Sequence, residues 1–180
     1  MEHLQYPIGR FSPKPDYSAE EIQGMIRKLE EMPVLYTQLL AGISEVHLAK
    51  TYRPGSWNVR QLVHHVADIH LLYYLRMKKA LTEQEAVAPI IDMNNWSELP
   101  DATRAPVAGS LLMLDGVNMR FIHFLQHLEE PAWNITYYHP VRQMHLSLKQ
   151  TLYMAHWHAS HHMAHIELAL GRQPRPFEAC

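Results

Sequence analysis

The stretch HWHASHHMAH, residues 156–165, places five histidines in ten positions. A neutral imidazole ligates divalent ions and also carries protons near neutral pH, so the first question is which of these rings share a face. On a helical wheel of about 100° per residue with His158 at zero, Leu148, Leu152, Ala155, Ala159, Ile166, Ala169 and Leu170 fall between roughly 20° and 140°. His162 then lies at about 40°, on the flank of that apolar stripe with His158, whereas His165 lies near −20°, His161 near −60° and His156 near 160°. The inward pair is His158 and His162. Their i, i+4 spacing stacks two rings on one face, as two ligands of a single ion require.

Two imidazoles hold an ion weakly, and a second histidine cluster stands at 64-HHVADIH-70. With His65 at zero, Leu62, Val66, Ile69 and Tyr73 span about 40° to 100°, which puts His65 at the edge of the core stripe and His64 about 100° further round. His70 falls on the far side. Asp68 lies within about 60° of His65, where it either orients an imidazole N–H or works as an acid or base. The plainer reading of a single buried histidine is a hydrogen-bonded core residue, and that reading is assigned to His70, His123, His127 and His145. A lone HxxxH is weak as well, because it lacks the glutamate of the helical zinc-protease motif HExxH. Three rings meeting from two helices at the edges of two core stripes tip the balance toward a metal site made by His65, His158 and His162.

Long helices must hold those rings in place. Residues 1–17 contain Pro7, Pro13 and Pro15 and read as an extended arm. Ser18 followed by AEE caps a first helix that is expected to run to about Ala49, broken or kinked at Pro33, where a backbone donor is missing. RPGS at 53–56 is a turn, and Ser56 is the expected cap of a second helix from Trp57 to Leu81. Residues 85–105 read as irregular. Pro106 opens a third helix ending near Glu130-Pro131, with Leu111, Leu114, Val117, Phe121, Phe124, Leu125 and Leu128 as its apolar repeat. Residues 132–147, with β-branched and aromatic residues around HPVRQ, suggest a short hairpin or an extended loop. Ser147 caps the last helix, Leu148 to Leu170, which stops at Gly171. The pattern predicts an all-α four-helix bundle in one domain spanning residues 1–180.

Composition narrows the function. The 180 residues carry a formal net charge of −2 with no basic block, which removes the electrostatic footprint of a nucleic-acid binder. The one cysteine, Cys180, excludes an internal disulfide framework and a cysteine zinc ribbon, and it has no base beside it to make it a nucleophile. MEHLQYPIGRFSPKPDYS lacks the basic start and apolar run of a secretion signal, and no stretch has the length of a membrane span. A soluble cytoplasmic protein is expected, with no nucleic-acid or membrane partner.

With these residues laid out, the chain resembles the DinB-like superfamily of four-helix metalloenzymes and, within it, the YfiT type. The resemblance is carried by YPIG (6–9), YRPGSWNVRQLVHHVADIH (52–70), KALTE (79–83), WSEL (96–99), YHP (138–140) and WHASHHMAHI (157–166). HHxAD followed far downstream by WHxxHHxAH is the specific part. The resemblance implies a bundle with one divalent ion held by three histidines, matching His65, His158 and His162 here. It also implies zinc or nickel and a homodimer. Many broader family members carry an Arg-Gly-Gln-like continuation after the last ligand, where this chain has Met163-Ala164-His165.

Imidazoles suit zinc, nickel, copper and iron, while the lack of carboxylate ligands disfavours calcium and magnesium. Three protein ligands leave a coordination position open, where an ion acidifies water or polarises a carbonyl or phosphoryl oxygen. The first reading is metal-dependent hydrolysis of a small molecule, with Asp68, His161 and His165 as candidates for orienting a ligand ring or transferring a proton, and a solvated or purely structural role as the equal alternative for each. Attachment of a low-molecular-weight thiol of the bacillithiol kind to an electrophile is the alternative, which the resemblance supports. A non-catalytic metal-binding stress-response module is the reading from another class. Trp57, Tyr73, Tyr74, Trp96, Tyr137, Tyr138 and Trp157 read as core or interface aromatics, and Arg60 either binds an anionic group of a substrate or forms a surface salt bridge.

Overall fold

Reciprocal caps begin the helices that carry the histidines. In the helix α2 (Val59–Thr82), Asn58 accepts from the Gln61 amide at 2.9 Å, and the Gln61 side chain accepts from the Asn58 amide at 3.0 Å. In α4 (Leu148–Ala169), Ser147 and Gln150 form the same box at 3.2 and 3.1 Å. A third box, Ser18 with Glu21, opens α1 (Ala19–Leu39), while α3 (Ala108–Gln126) starts without a side-chain cap. Each box satisfies two amide donors that a helix N-terminus otherwise leaves unpaired.

The computed structural model of the chain describes residues 2–178, so Cys180 lies outside the described residues. Helix α1 packs on α3 and α4, and α2 also packs on α3 and α4. Successive helices α1 and α2 therefore occupy opposite corners of the four-helix bundle, as do α3 and α4. Diagonal neighbours need long connections, and residues 40–58 and 127–147 supply them. The first turns at Gly42, whose φ of +68° suits glycine, and includes a helical turn Glu45–Leu48 capped by Ser44. The second passes through a 3-10 turn, Glu130–Asn134, into a hairpin of β1 (Thr136–His139) and β2 (Met144–Ser147). In that hairpin Tyr137 lies opposite Leu146 and His139 opposite Met144. Residues 86–88 join β1 through Ala88 N to Tyr138 O at 2.8 Å and Tyr138 N to Ala86 O at 2.9 Å.

Several boundaries differ from the sequence expectation. Helix α1 ends ten residues early, at Leu39, and is continuous through Pro33, because Met32, Pro33 and Tyr36 are buried together and packing outweighs one lost backbone bond. Asn58, not Ser56, caps α2: Ser56 is occupied in its turn, donating to Arg53 O at 2.9 Å, whereas Asn58 has Gln61 three residues on. Residues 85–105 hold two helical turns, Met93–Ser97 and Pro100–Arg104, and α3 ends at Gln126. The N-terminal arm contains one turn, Glu2–Gln5, and otherwise has no regular structure up to Ser18. The expected stop of α4 is present, with Gly171 at φ +72°.

One buried apolar cluster joins all four helices through Leu29, Leu62, Phe121, Leu125, Leu148 and Leu152. Tyr36 ties α1 to α4 inside it, its hydroxyl donating to Ala159 O at 2.7 Å. No helix of the described residues is long and apolar enough to cross a membrane. Asn58→Ala removes the cap that starts α2 and is expected to cost about 1 kcal/mol, read as a lower urea midpoint with an unchanged slope.

Candidate metal centre

Helix α2 brings His65, and α4 brings His158 and His162, to one place between them. One ring nitrogen from each lies within 4.8 Å of the others, and His65 Nε2 is 3.1 Å from His158 Nε2. Two nitrogens bound tetrahedrally to an ion at the usual zinc distance stand about 3.3 Å apart, so this pair has the separation the donor set requires. Ring centroids are 5.0 Å apart for His65 and His158, 4.8 Å for His65 and His162, and 4.5 Å for His158 and His162. Trp57 leans on His65 at 4.7 Å and Tyr73 meets His158 edge-on at 5.8 Å. No carboxylate belongs to the group.

Burial sets the protonation of these rings. It pushes His65 down to about 4, and pushes His158 and His162 well below the ordinary imidazole range, with the neighbouring histidines adding to the effect in both. All three are neutral at pH 7 and present lone pairs. The tautomer of His162 also follows from its partners. His165 Nε2 faces the carbonyl of Gln5 at 3.2 Å and must donate to it, which leaves His165 Nδ1 as an acceptor. His162 Nδ1, 3.4 Å from His165 Nδ1, is then the donor, and His162 Nε2 is left free to ligate.

The three candidates for proton handling occupy different surroundings. His165 is buried, its ring stacked at 3.9 Å on Tyr52, and burial pushes it down to about 4. His161 stacks at 4.4 Å on Trp157, has a buried Nδ1 without a partner, and is pushed down to about 3 by burial and then by His165. Asp68 makes no hydrogen bond with any described residue. It lines a crevice of about 10 Å³ behind His65, beside Met93 and Trp96, with room for about one water. Burial, and then Asp101, pushes its carboxyl up to about 6. The wheel placed His161 and His165 away from the core. They are buried because the N-terminal segment, through Gln5 and Tyr6, and the loop at Tyr52 cover that side of α4.

The other histidines have separate duties. His64 faces α3, with Nδ1 2.7 Å from Ser110 Oγ, and His70 is a core residue, Nε2 2.9 Å from Asn118 Oδ1. His123, His127 and His145 are exposed rather than buried, since they stand on the outer sides of α3 and β2. Arg60 forms an ion pair with Glu45 and donates to Ala105 O at 2.6 Å, away from the histidine centre.

An open cleft of about 660 Å³ reaches His65, His158 and His162. Ile69, Leu72, Tyr73, Met154 and Trp157 form much of its wall, and Arg76, His139 and Arg142 also face it. Sequence reasoning missed the last three. Arg76 had a signal, because it lies eleven positions after His65 and close to the same helix face. His139 and Arg142 reach the cleft only through the fold of the hairpin.

A four-helix bundle with a cluster of three neutral histidines at the end of a cleft defines the class of protein. Residues 28–166 match the DinB superfamily, and the chain belongs to it. A Bacillus pumilus protein named "Putative metal-dependent hydrolase" is 39% identical over 166 residues, covering 92% of this chain and 94% of its own. YfiT of Bacillus subtilis, which carries the same name, is 37% identical over 164 residues, 91% of this chain and 92% of its own. The solved structure of YfiT, described as a probable metal-dependent hydrolase with an unusual four-helix bundle topology, superposes with a TM-score of 0.90 over 95% of this chain and 99% of YfiT. A mycothiol-dependent maleylpyruvate isomerase shares the fold at a TM-score of 0.65 and 14% identity, over 81% of this chain and 60% of its own.

Loss of bound divalent ion is expected in His65→Ala and not in His64→Ala, and His165→Ala should weaken the ion's binding about 10- to 100-fold by releasing the His162 ring. Element analysis and competition with a chromogenic chelator read both. The histidine values also set a pH dependence. Between about pH 6.5 and 4 the unfolded chain takes up protons that buried His65, His70, His156 and His165 refuse. Stability of the metal-free protein therefore falls as pH drops through that window, with a slope of up to about 1.4 kcal/mol per pH unit for each ring. Asp68, with its raised value, acts in the opposite sense but is a single group. Urea midpoints at about pH 7 and pH 5 would differ accordingly, and equal midpoints would mean the rings are not held neutral.

Proposed function

We propose that the protein is a metal-dependent hydrolase of a small molecule, with one zinc or nickel ion held by His65, His158 and His162. The observation that carries this reading is the convergence of three neutral imidazoles, their ligand nitrogens within 4.8 Å of one another, at the end of an open cleft. A bound divalent ion there supplies Lewis-acid chemistry, acidifying water toward neutral pH and polarising a substrate oxygen.

The chain's own residues do the rest. His165 holds His162 in its ligating tautomer. Asp68, pushed up to about 6, has a proton affinity suited to work near neutral pH, and it lines the small crevice behind His65. His161 faces the cleft but is held neutral, so it accepts or donates a hydrogen bond rather than storing a proton. Ile69, Leu72 and Trp157 give the reacting end an apolar wall.

Transfer of a low-molecular-weight thiol to an electrophile is the second reading. It is favoured by the size of the cleft, which has room for two small reactants side by side. A homodimer is the assembly this reading carries, supported by apolar Val34, Leu112 and Met119 standing exposed on the α1 and α3 surface. A cytoplasmic location completes it.

Chelation is expected to abolish ester or amide hydrolysis by at least about 100-fold while leaving helix content unchanged, because the bundle core supports the fold without an ion. Thiol conjugation assayed on the same ion-loaded sample separates the two reactions. Collapse of the helices on chelation would assign the ion a structural role and end the enzymatic reading.

A further inference from the structure

The cleft that ends at the three histidines is lined by no aspartate or glutamate. It is lined by two arginines. Arg76 stands on α2 beyond Tyr73, only 7% exposed, with Cζ 5.6 Å from the Tyr73 ring, and that ring in turn is 5.8 Å from His158. Its Nε and Nη2 both donate to Pro89 O, at 3.2 and 3.1 Å, which ties down the connection after α2. That duty leaves Nη1 with no protein acceptor among the described residues. Arg142 sits at the bend of the hairpin, its guanidinium 4.8 Å above the Phe11 ring. Neither arginine pairs with a carboxylate among the described residues.

His139, buried at the end of β1, completes the group; its Nδ1 accepts from the Arg142 amide at 3.4 Å. All three basic groups line the same cleft, and burial, then Arg76 and Arg142, push this histidine down to about 4. A largely buried guanidinium facing a second cation with no counter-charge is an expensive arrangement, and an arriving anion relieves it. Arginine is also the side chain best shaped to hold planar or tetrahedral oxyanions. The structural roles of Arg76 and Arg142 use the carbonyl of Pro89 and the face of Phe11, and neither neutralises charge.

We propose that the cleft takes a small molecule bearing a carboxylate or phosphate group, with the oxyanion held by Arg76, Arg142 and His139 while the reacting end reaches His65, His158 and His162. The inference deepens the hydrolase reading and rests on it for the reacting end alone. The walls between the two ends are apolar, through Ile69, Leu72 and Met154, so the part of the molecule that joins them is apolar as well. A substrate with an anionic tail gains orientation from the end that does not react, as enzymes use remote binding energy to place a scissile bond.

Isothermal titration of the full chain with succinate, inorganic phosphate and uncharged succinamide tests this, on ion-loaded and chelator-treated protein, with ion content measured on every sample. Succinate or phosphate is expected to bind saturably and succinamide not to bind. Arg142→Gln and Arg76→Gln should each weaken anion binding about tenfold or more, as loss of a charge-assisted hydrogen bond does, and Arg172→Gln should leave it unchanged. Tighter binding of succinate assigns a carboxylate and tighter binding of phosphate assigns a phosphate. Arg142 is exposed, so its variant decides the question even where Arg76→Gln loses helix content. Anion binding that is indifferent to Arg142→Gln, or matched by succinamide, overturns the subsite whether or not the samples hold an ion. Arginine-dependent anion binding in protein that takes up no ion upholds the subsite and overturns the metal reading instead.

Discussion

The contact between α2 and α4 is the constraint on which the rest depends. Packing these helices sets His65 against His158 and His162, the first and last buried and His158 half-buried, and desolvation favours the uncharged form of all three rings at neutral pH. Charged rings at a 3.1 Å nitrogen separation would repel strongly in a poorly solvated site, so the packing and the protonation state support one another. Nitrogen lone pairs gathered without a carboxylate have few better uses than a shared cation. The surroundings reinforce the geometry: Trp57 holds His65 from one side, and His165, anchored to Gln5 O, fixes the His162 tautomer.

The order of helices around the bundle explains where the cleft lies. Because α3 and α4 occupy opposite corners, the chain between them must cross the molecule, and it does so as the β1–β2 hairpin. The connection after α2 joins the edge of that hairpin at residues 86–88, which places Pro89 where Arg76 holds it. Hairpin, connection and the two histidine-bearing helices together enclose the cleft. The same topology brings the N-terminal segment over α4, where Tyr6 and Gln5 cover His161 and His165. YfiT of Bacillus subtilis superposes along nearly the whole chain, so the order of helices that sets this arrangement is shared with it.

Charge divides the cleft into two ends. At one end stand three neutral imidazoles, and at the hairpin end are two guanidiniums with no carboxylate partner among the described residues. Arg60, the arginine the sequence offered for an anionic group, is instead paired with Glu45. Arg142 is exposed and hydrated, whereas Arg76 is largely buried without a carboxylate partner among the described residues, so the imbalance of charge is felt most at Arg76.

The sequence by itself determined the elements and which histidines share a helix face. The caps at Ser18 and Ser147, the glycine stop at Gly171 and the apolar repeats were sufficient for four helices, because these are interactions among near neighbours in the chain. The wheels chose His65 over His64 and His158 with His162 over their neighbours for the same reason: a helix has one periodicity, and it can be read without a partner. Tertiary structure decided what covers each face. It carried α1 through Pro33, buried His161 and His165 under the N-terminal segment, and set His139 and Arg142 in one cleft with Arg76. A wheel gives a direction from one helix axis, whereas burial and charge pairing depend on which distant segment arrives there, and that is settled only when the whole chain packs.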